Sequence, residues 1–252
     1  MRHDVNFIDP YDVDEANLFI RVEHLARYLY AAQFARKRKV CRVLDCACGN
    51  GYGCAVLARA AAVVQGVDID EELIDTYIPQ PPAAQGGSVT LRRVDLDSEP
   101  LPYEEDAFDL ATCFETLEHV QFDGELLGEL HRVLRRGGWL LLSVPKAGYE
   151  PVDAQGKPRN RCHWRLYEED KLRSLLAEHG FVVERALGQP WTNLSRANME
   201  SHRRDSGITP AQFESWFSQD PQALECYCKL WGWPTDESPQ HSNILIMVCR
   251  RK

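Results

Sequence analysis

The stretch VLDCACGNGYG, residues 43–53, joins an apolar run to a glycine-rich turn. Val43 and Leu44 end the run, Asp45 is the first charge after it, and Gly49, Gly51 and Gly53 fall on every second position. A helical pattern follows over 52–61. A buried strand, a glycine turn and a helix start, in that order, bring backbone N–H groups close to a ligand, because glycine has no Cβ to block the approach. A second apolar run, 62–67, ends in Asp68. A carboxylate about 20 residues past the glycine turn, at the tip of the next strand, can accept both hydroxyls of a ribose.

Two known layouts use such a turn, and spacing separates them. The dinucleotide fingerprint G-x-G-x-x-G, read from Gly49, puts Cys54 where the third glycine belongs and fails. The pattern D-x-G-x-G-x-G fits Asp45, Ala47, Gly49 and Gly51, with Ala47 in the first glycine slot. In this form the stretch resembles motif I of the class I S-adenosylmethionine-dependent methyltransferases. The likeness continues at VDID (67–70), FDLATCFETLEHV (108–120) and RVLRRGGWLLLSVP (132–145), and covers roughly residues 40–188, with a last strand near 242–249.

The resemblance implies a Rossmann-like α/β fold: a doubly wound, mostly parallel sheet of seven strands, the last antiparallel, with a helical insertion before it. It also implies S-adenosyl-L-methionine as cofactor. Asp45, Gly49 and Gly51, with Ala47 in the same turn, would hold the methionyl end. Asp68 and Ile69 would meet the ribose, and Asp95 and Leu96 the adenine. Counting from the third strand favours Asp95 for the adenine; counting back from Leu101-Pro102 favours Asp97, and Asp95 is the choice made. Phe114 and Glu115 would lie beside the methionyl group and the methyl.

Glu115, Glu118 and His119 follow the fourth predicted strand directly, at the edge where side chains face the ligand crevice. A helical turn would put them on neighbouring faces. His119 is the candidate general base and Glu118 its orienter or substitute; a histidine bonded to a backbone carbonyl for purely structural reasons is the alternative. The polar stretch 146–164, with Tyr149, Arg159, Arg161 and His163, follows the fifth strand and can reach the acceptor.

At 252 residues, with 44% apolar and 27% charged residues, the chain suits one soluble domain. Its net charge of −9 argues against nucleic acid, which needs clustered Lys and Arg. No run of 18 apolar residues suggests a membrane span, and the acidic N-terminus is unlike a signal peptide. A cytoplasmic enzyme is expected, its nine cysteines thiols used in packing. None has C-x-x-C spacing, and no metal is expected.

Residues 1–40 read as an N-terminal helical cap, with Leu18, Val22, Leu25, Leu29 and Ala32 on one face. Arg135 and Arg136 would complement the end of a helix over 124–135, and Gly137 would cap it. Residues 189–241 read as a helical insertion carrying Trp191, Trp216, Trp231 and Trp233. It would pack on the domain, close over the acceptor as a lid hinged at 192–198, or form a subunit contact.

The function implied is methyl transfer to an oxygen or nitrogen of a small-molecule acceptor. PheGluThrLeu stands where amide and base-amine methyltransferases carry an Asn-Pro-Pro-Tyr-like tetrapeptide, which favours a small acceptor. A non-catalytic S-adenosylmethionine-binding module and a nucleotide-dependent oxidoreductase are the alternatives.

Overall fold

The computed structural model describes residues 8–11, 18–76, 86–189, 212, 220–236 and 242–252. In chain order the strands are β1 (Arg42–Cys46), β2 (Val63–Asp68), β3 (Ser88–Arg93), β4 (Phe108–Phe114), β5 (Leu134–Pro145), β6 (Phe181–Leu187) and β7 (Ile244–Arg251). The helices are α1 (Leu18–Arg38), α2 (Tyr52–Leu57), α3 (Glu71–Asp75), α4 (Asp123–Val133), α5 (Glu169–Glu178) and α6 (Pro221–Tyr227), the last continuing into a π-helical turn, Cys228–Gly232.

The strands form one sheet in the order β3-β2-β1-β4-β5-β7-β6. β1 to β5 pair in parallel, while β7 runs antiparallel to both β5 and β6. The doubly wound sheet read from the sequence is therefore present, antiparallel last strand included. Side chains alternate between two cores: Val43, Leu110 and Leu141 face one that includes α1 and α2, while Leu44, Ala111 and Leu142 face one that includes α4 and α5. Burial on both faces explains the apolar stretches Val43-Leu44, Leu110-Ala111 and Leu140 to Leu142 at the centre of the sheet.

The ends of α2 and α4 differ from the sequence reading. α2 ends at Leu57, because residues 58–62 turn the chain back so that Val63 can enter the sheet, with the N–H groups of Ala62 and Val63 on the Cys41 carbonyl. α4 ends at Val133, and Leu134 is already extended. Leu134 pairs with Phe108 and is fully buried, so the ladder takes over where the helix stops. Arg135, Arg136 and Gly137 therefore lie in β5 rather than capping α4, and Arg135 pairs with Asp109 at 2.6 Å.

The predicted face of α1 is buried, yet Arg21, Arg27, Tyr28 and Ala31 are buried too. Part of the reason is the segment 220–236. Trp233 packs edge-on against Tyr30 at 5.6 Å, and Gln189 donates to the carbonyls of both Glu23 and Gly232. Trp231 and Trp233 thus sit partly buried against the domain's own core. Trp191, Trp216, the 192–198 run and residues 77–85 lie outside the described residues. No described helix is long and apolar enough to cross a membrane.

Two glycine substitutions test this packing. A Cβ on Gly232 would stand 2.7 Å from Val22 Cγ1, 2.9 Å from Ala26 Cβ and 3.0 Å from the Val22 carbonyl oxygen. Gly232→Ala should destabilise the protein by about 1–3 kcal/mol through overpacking. Gly128, inside α4, has nothing within 4 Å of its Cβ position, and Gly128→Ala should stabilise by about 0.5–1 kcal/mol. Denaturant midpoints that move the same way in both variants would contradict the docking of 220–236 on α1.

Candidate active site

β1 and β4 are sheet neighbours whose chains leave in opposite directions, which makes the gap beyond their carboxyl ends the switch point of the sheet. Two segments meet there: the turn after β1 and residues 115–119 after β4. In the turn, Ala47, Gly49 and Gly51 all have left-handed backbone, at φ 59°, 54° and 83°. Ala47 adopts this conformation at a cost of about 1–2 kcal/mol that glycine avoids. Glu115, also left-handed at φ 49°, has Oε1 accepting from Ser143 Oγ at 2.7 Å.

Asp45 is fully buried. Its Oδ1 accepts from Thr112 Oγ1 at 2.6 Å and from Tyr28 Oη at 3.2 Å, and its Oδ2 accepts from Cys54 Sγ at 3.4 Å. Burial pushes its carboxyl from 3.8 up to about 7, against the pull of those donors. Tyr28 lies between Tyr52 and Phe114, edge-on to both, at 5.1 and 5.2 Å. Its hydrogen-bond partner was not legible in the sequence, since α1 and β1 meet only in the fold. Cys54, the residue that breaks the dinucleotide fingerprint, is one of the donors to Asp45.

Asp68 ends β2 and is 6% exposed. Its Oδ2 accepts from the Gly49 amide at 2.7 Å and its Oδ1 from the Asp70 amide at 3.0 Å. Each oxygen keeps a second lone pair. Desolvation raises its pKa. Half-buried Ile69 follows directly. Beyond β3, Asp95 caps its own turn, accepting from the Asp97 amide and from Ser98 Oγ, with half-buried Leu96 next to it. Asp97 instead accepts from the Gln121 amide at 2.7 Å, tying this turn to the segment after β4.

The pair Glu118 and His119 has more structure around it than the sequence reading supplied. Glu118 is fully buried, and neither carboxylate oxygen has a hydrogen-bond partner among the described residues. Desolvation, then the charge of Glu115, pushes its pKa well above the usual carboxylate range. Its own backbone N–H, which lies outside hydrogen-bond geometry, and then the field of the buried Arg27, which bonds Gln189 at 3.0 Å, oppose this. His119 Nδ1 lies 3.2 Å from the Cys162 carbonyl. A carbonyl only accepts, so Nδ1 carries the proton and Nε2 offers its lone pair. That Nε2 is 3.8 Å from Glu118 Oε1, too far for a hydrogen bond, so the Cys162 carbonyl orients the ring and Glu118 does not. Desolvation, then the neighbouring His163, lowers the His119 pKa to about 4. His163 packs edge-on to His119 with ring centroids 4.7 Å apart, and its Nδ1 lies 2.6 Å from Glu150 Oε2.

Acid-tipped parallel strands around a glycine turn define a class of α/β domain that binds an adenosyl ligand at its switch point. The residues fit S-adenosylmethionine: Asp68 is fixed with acceptor capacity left over, and the turn bears nothing larger than a methyl at its three left-handed positions. The family model described as "Methyltransferase domain" matches residues 18–186, about two thirds of the chain. The chain belongs to that family, within the class I S-adenosylmethionine-dependent methyltransferases. A relative from Mycolicibacterium smegmatis, named a probable S-adenosylmethionine-dependent methyltransferase, is 33% identical over 147 residues, 58% of this chain and 54% of the relative. A Mycobacterium tuberculosis protein of the same name is 31% identical over 172 residues, 68% of this chain and 58% of the relative. A ubiquinone biosynthesis O-methyltransferase of Paracidovorax citrulli is 33% identical over 104 residues, 41% of this chain and 43% of the relative. The chain thus spans about half the length of these relatives. Among solved structures, an S-adenosylmethionine dependent methyltransferase from Mesorhizobium loti has a TM-score of 0.51 at 23% identity, covering 83% of this chain and 90% of its own. The [4+2]-cyclase SpnF has a TM-score of 0.52 at 18% identity, covering 88% of this chain and 80% of its own. These two likenesses concern the fold.

The burial of Asp45 predicts a pH effect. Its folded pKa, about 7, lies above the ordinary 3.8, so between those values the folded state binds more protons than the unfolded one. Stability must then fall as pH rises through the window, by at most about 1.4 kcal/mol per pH unit from this group, and level off above it. Asp45→Asn should remove that slope, so the melting curves of the two proteins diverge steadily from pH 5 to pH 7. Parallel curves would show that Asp45 is charged in the folded protein at pH 5.

Proposed function

We propose that this protein transfers the methyl group of S-adenosylmethionine to an oxygen or nitrogen of a small-molecule acceptor. One observation carries the proposal: a tautomer-fixed His119 and an unpartnered, buried Glu118 stand at the carboxyl end of β4, beside the glycine turn and Asp45 at the end of β1. When bound, S-adenosylmethionine supplies an electrophilic methyl on a sulfonium.

The chain's own residues have three tasks. Asp68 and Ile69 hold the ribose, Asp95 and Leu96 the adenine, and Asp45, Ala47, Gly49 and Gly51 the methionyl end. Phe114 and Glu115 border the methyl. Rigid holding of this kind aligns donor and acceptor, an effect worth up to about 7–11 kcal/mol. His119 Nε2, kept unprotonated by burial, accepts a proton from a hydroxyl acceptor; general bases contribute about 10²–10⁴-fold.

The ubiquinone O-methyltransferase relatives favour oxygen as the acceptor atom. The net charge of −9 and the PheGluThrLeu run support a small acceptor over nucleic acid.

The test is calorimetry. S-adenosylhomocysteine should bind and NAD should not, which separates this proposal from an oxidoreductase. Asp68→Ala should weaken S-adenosylhomocysteine by roughly 10–100-fold, the loss of a charge-assisted hydrogen bond of about 1.5–3 kcal/mol. An unchanged Kd in that variant excludes the ribose role. Turnover to S-adenosylhomocysteine with a phenolic acceptor excludes a purely binding module.

A further inference from the structure

Glu118, His119 and His163 each offer a ligand atom, and the three atoms lie within 4.8 Å of one another. We propose that they form a binding site for a divalent transition-metal ion. The sequence hides this site, since His163 lies 44 residues beyond His119 and no C-x-x-C or H-x-x-x-H spacing announces it.

Two independent features point to a cation. The first is Glu118, whose oxygens are buried and unpartnered among the described residues. A buried carboxylate without donors is costly unless a cation meets it. The second is what stands behind each imidazole. His119 donates Nδ1–H to the Cys162 carbonyl, and His163 donates Nδ1–H to the Glu150 carboxylate at 2.6 Å. An outer carbonyl or carboxylate on one ring nitrogen, leaving the other free to coordinate, is the usual arrangement around metal-bound histidines. Both rings therefore turn Nε2 away from their anchors.

Two histidines and one carboxylate suit Zn²⁺, Mn²⁺ or Fe²⁺, with coordination positions left open. At metal–ligand distances of about 2.0–2.2 Å the three atoms must draw together by roughly an ångström. His163 Nε2 must also give up its contact with Asn160 Nδ2 at 3.1 Å. A quarter of the His119 side chain is exposed, against 1% for Glu118, so the cluster opens to solvent on the His119 side. Water or an acceptor oxygen can complete the coordination from there. If the methyl-transfer proposal holds, the acceptor class narrows to molecules with a metal-binding hydroxyl, and the base role given to His119 above belongs to the metal-free protein only.

The test needs neither cofactor nor acceptor, so its outcome is separate from that of the methyl-transfer proposal. The full chain, stripped with a chelator, is titrated with Mn²⁺ under electron paramagnetic resonance and with Zn²⁺ by calorimetry. One equivalent of each should bind. Glu118→Gln and His163→Ala should each weaken binding at least tenfold, and Glu150→Gln should weaken it less. His131→Ala, whose ring packs on Phe181, should leave affinity unchanged. Circular dichroism of each variant checks the fold. Absence of stoichiometric Mn²⁺ binding overturns the proposal. So does zinc binding that survives unchanged in both folded ligand variants, which would locate the ion at the free thiols.

Discussion

A carboxylate buried among neutral donors must be met by them at close range, and Asp45 draws its donors from separate elements: Tyr28 from α1, Thr112 from β4 and Cys54 from α2. Desolvating a charge is expensive, and the group responds by holding its proton up to about pH 7. The geometry of the candidate site hangs on this contact. It fixes α1 over the end of β1, sets α2 at the exit of the glycine turn, and keeps β1 and β4 in register at the switch point. Displacing Cys54 would leave Oδ2 without a donor, while Oδ1 keeps one if either Thr112 or Tyr28 is lost.

A second constraint works through the backbone. The Gly49 amide bonds the Asp68 carboxylate, so the turn after β1 and the tip of β2 hold each other. The turn needs three left-handed residues, and one of them is an alanine. Strain is accepted there because the sheet on one side and α2 on the other leave the chain no other route. Fold alone does not select the chemistry, as the likeness to a [4+2]-cyclase makes plain. The residues after β4 must do that.

Much of the scaffold was legible because its signals are local. The apolar stretches that became β1 and β4 could be read directly, since strands buried on both faces show as plain apolar runs. Helix ends were less legible. Whether Arg135 to Gly137 cap a helix or enter a strand depends on Phe108, a partner 26 residues upstream of Leu134. The motif acids were visible, and their partners were not. Tyr28 carried no local sign of Asp45. His163 could be placed within reach of the acceptor, yet its apposition to His119 depends on how residues 146–164 fold back against the end of β4.

The most direct measurement is a crystal structure with S-adenosylhomocysteine bound. The predicted result places the ligand across the carboxyl ends of β2, β1 and β4, its ribose hydroxyls on Asp68 and its sulfur toward Glu115–His119. The contradicting result is a ligand bound away from Asp68, for example in the open hollow of about 450 Å³ between Arg36, Arg59 and Gly87 at the opposite end of the strands.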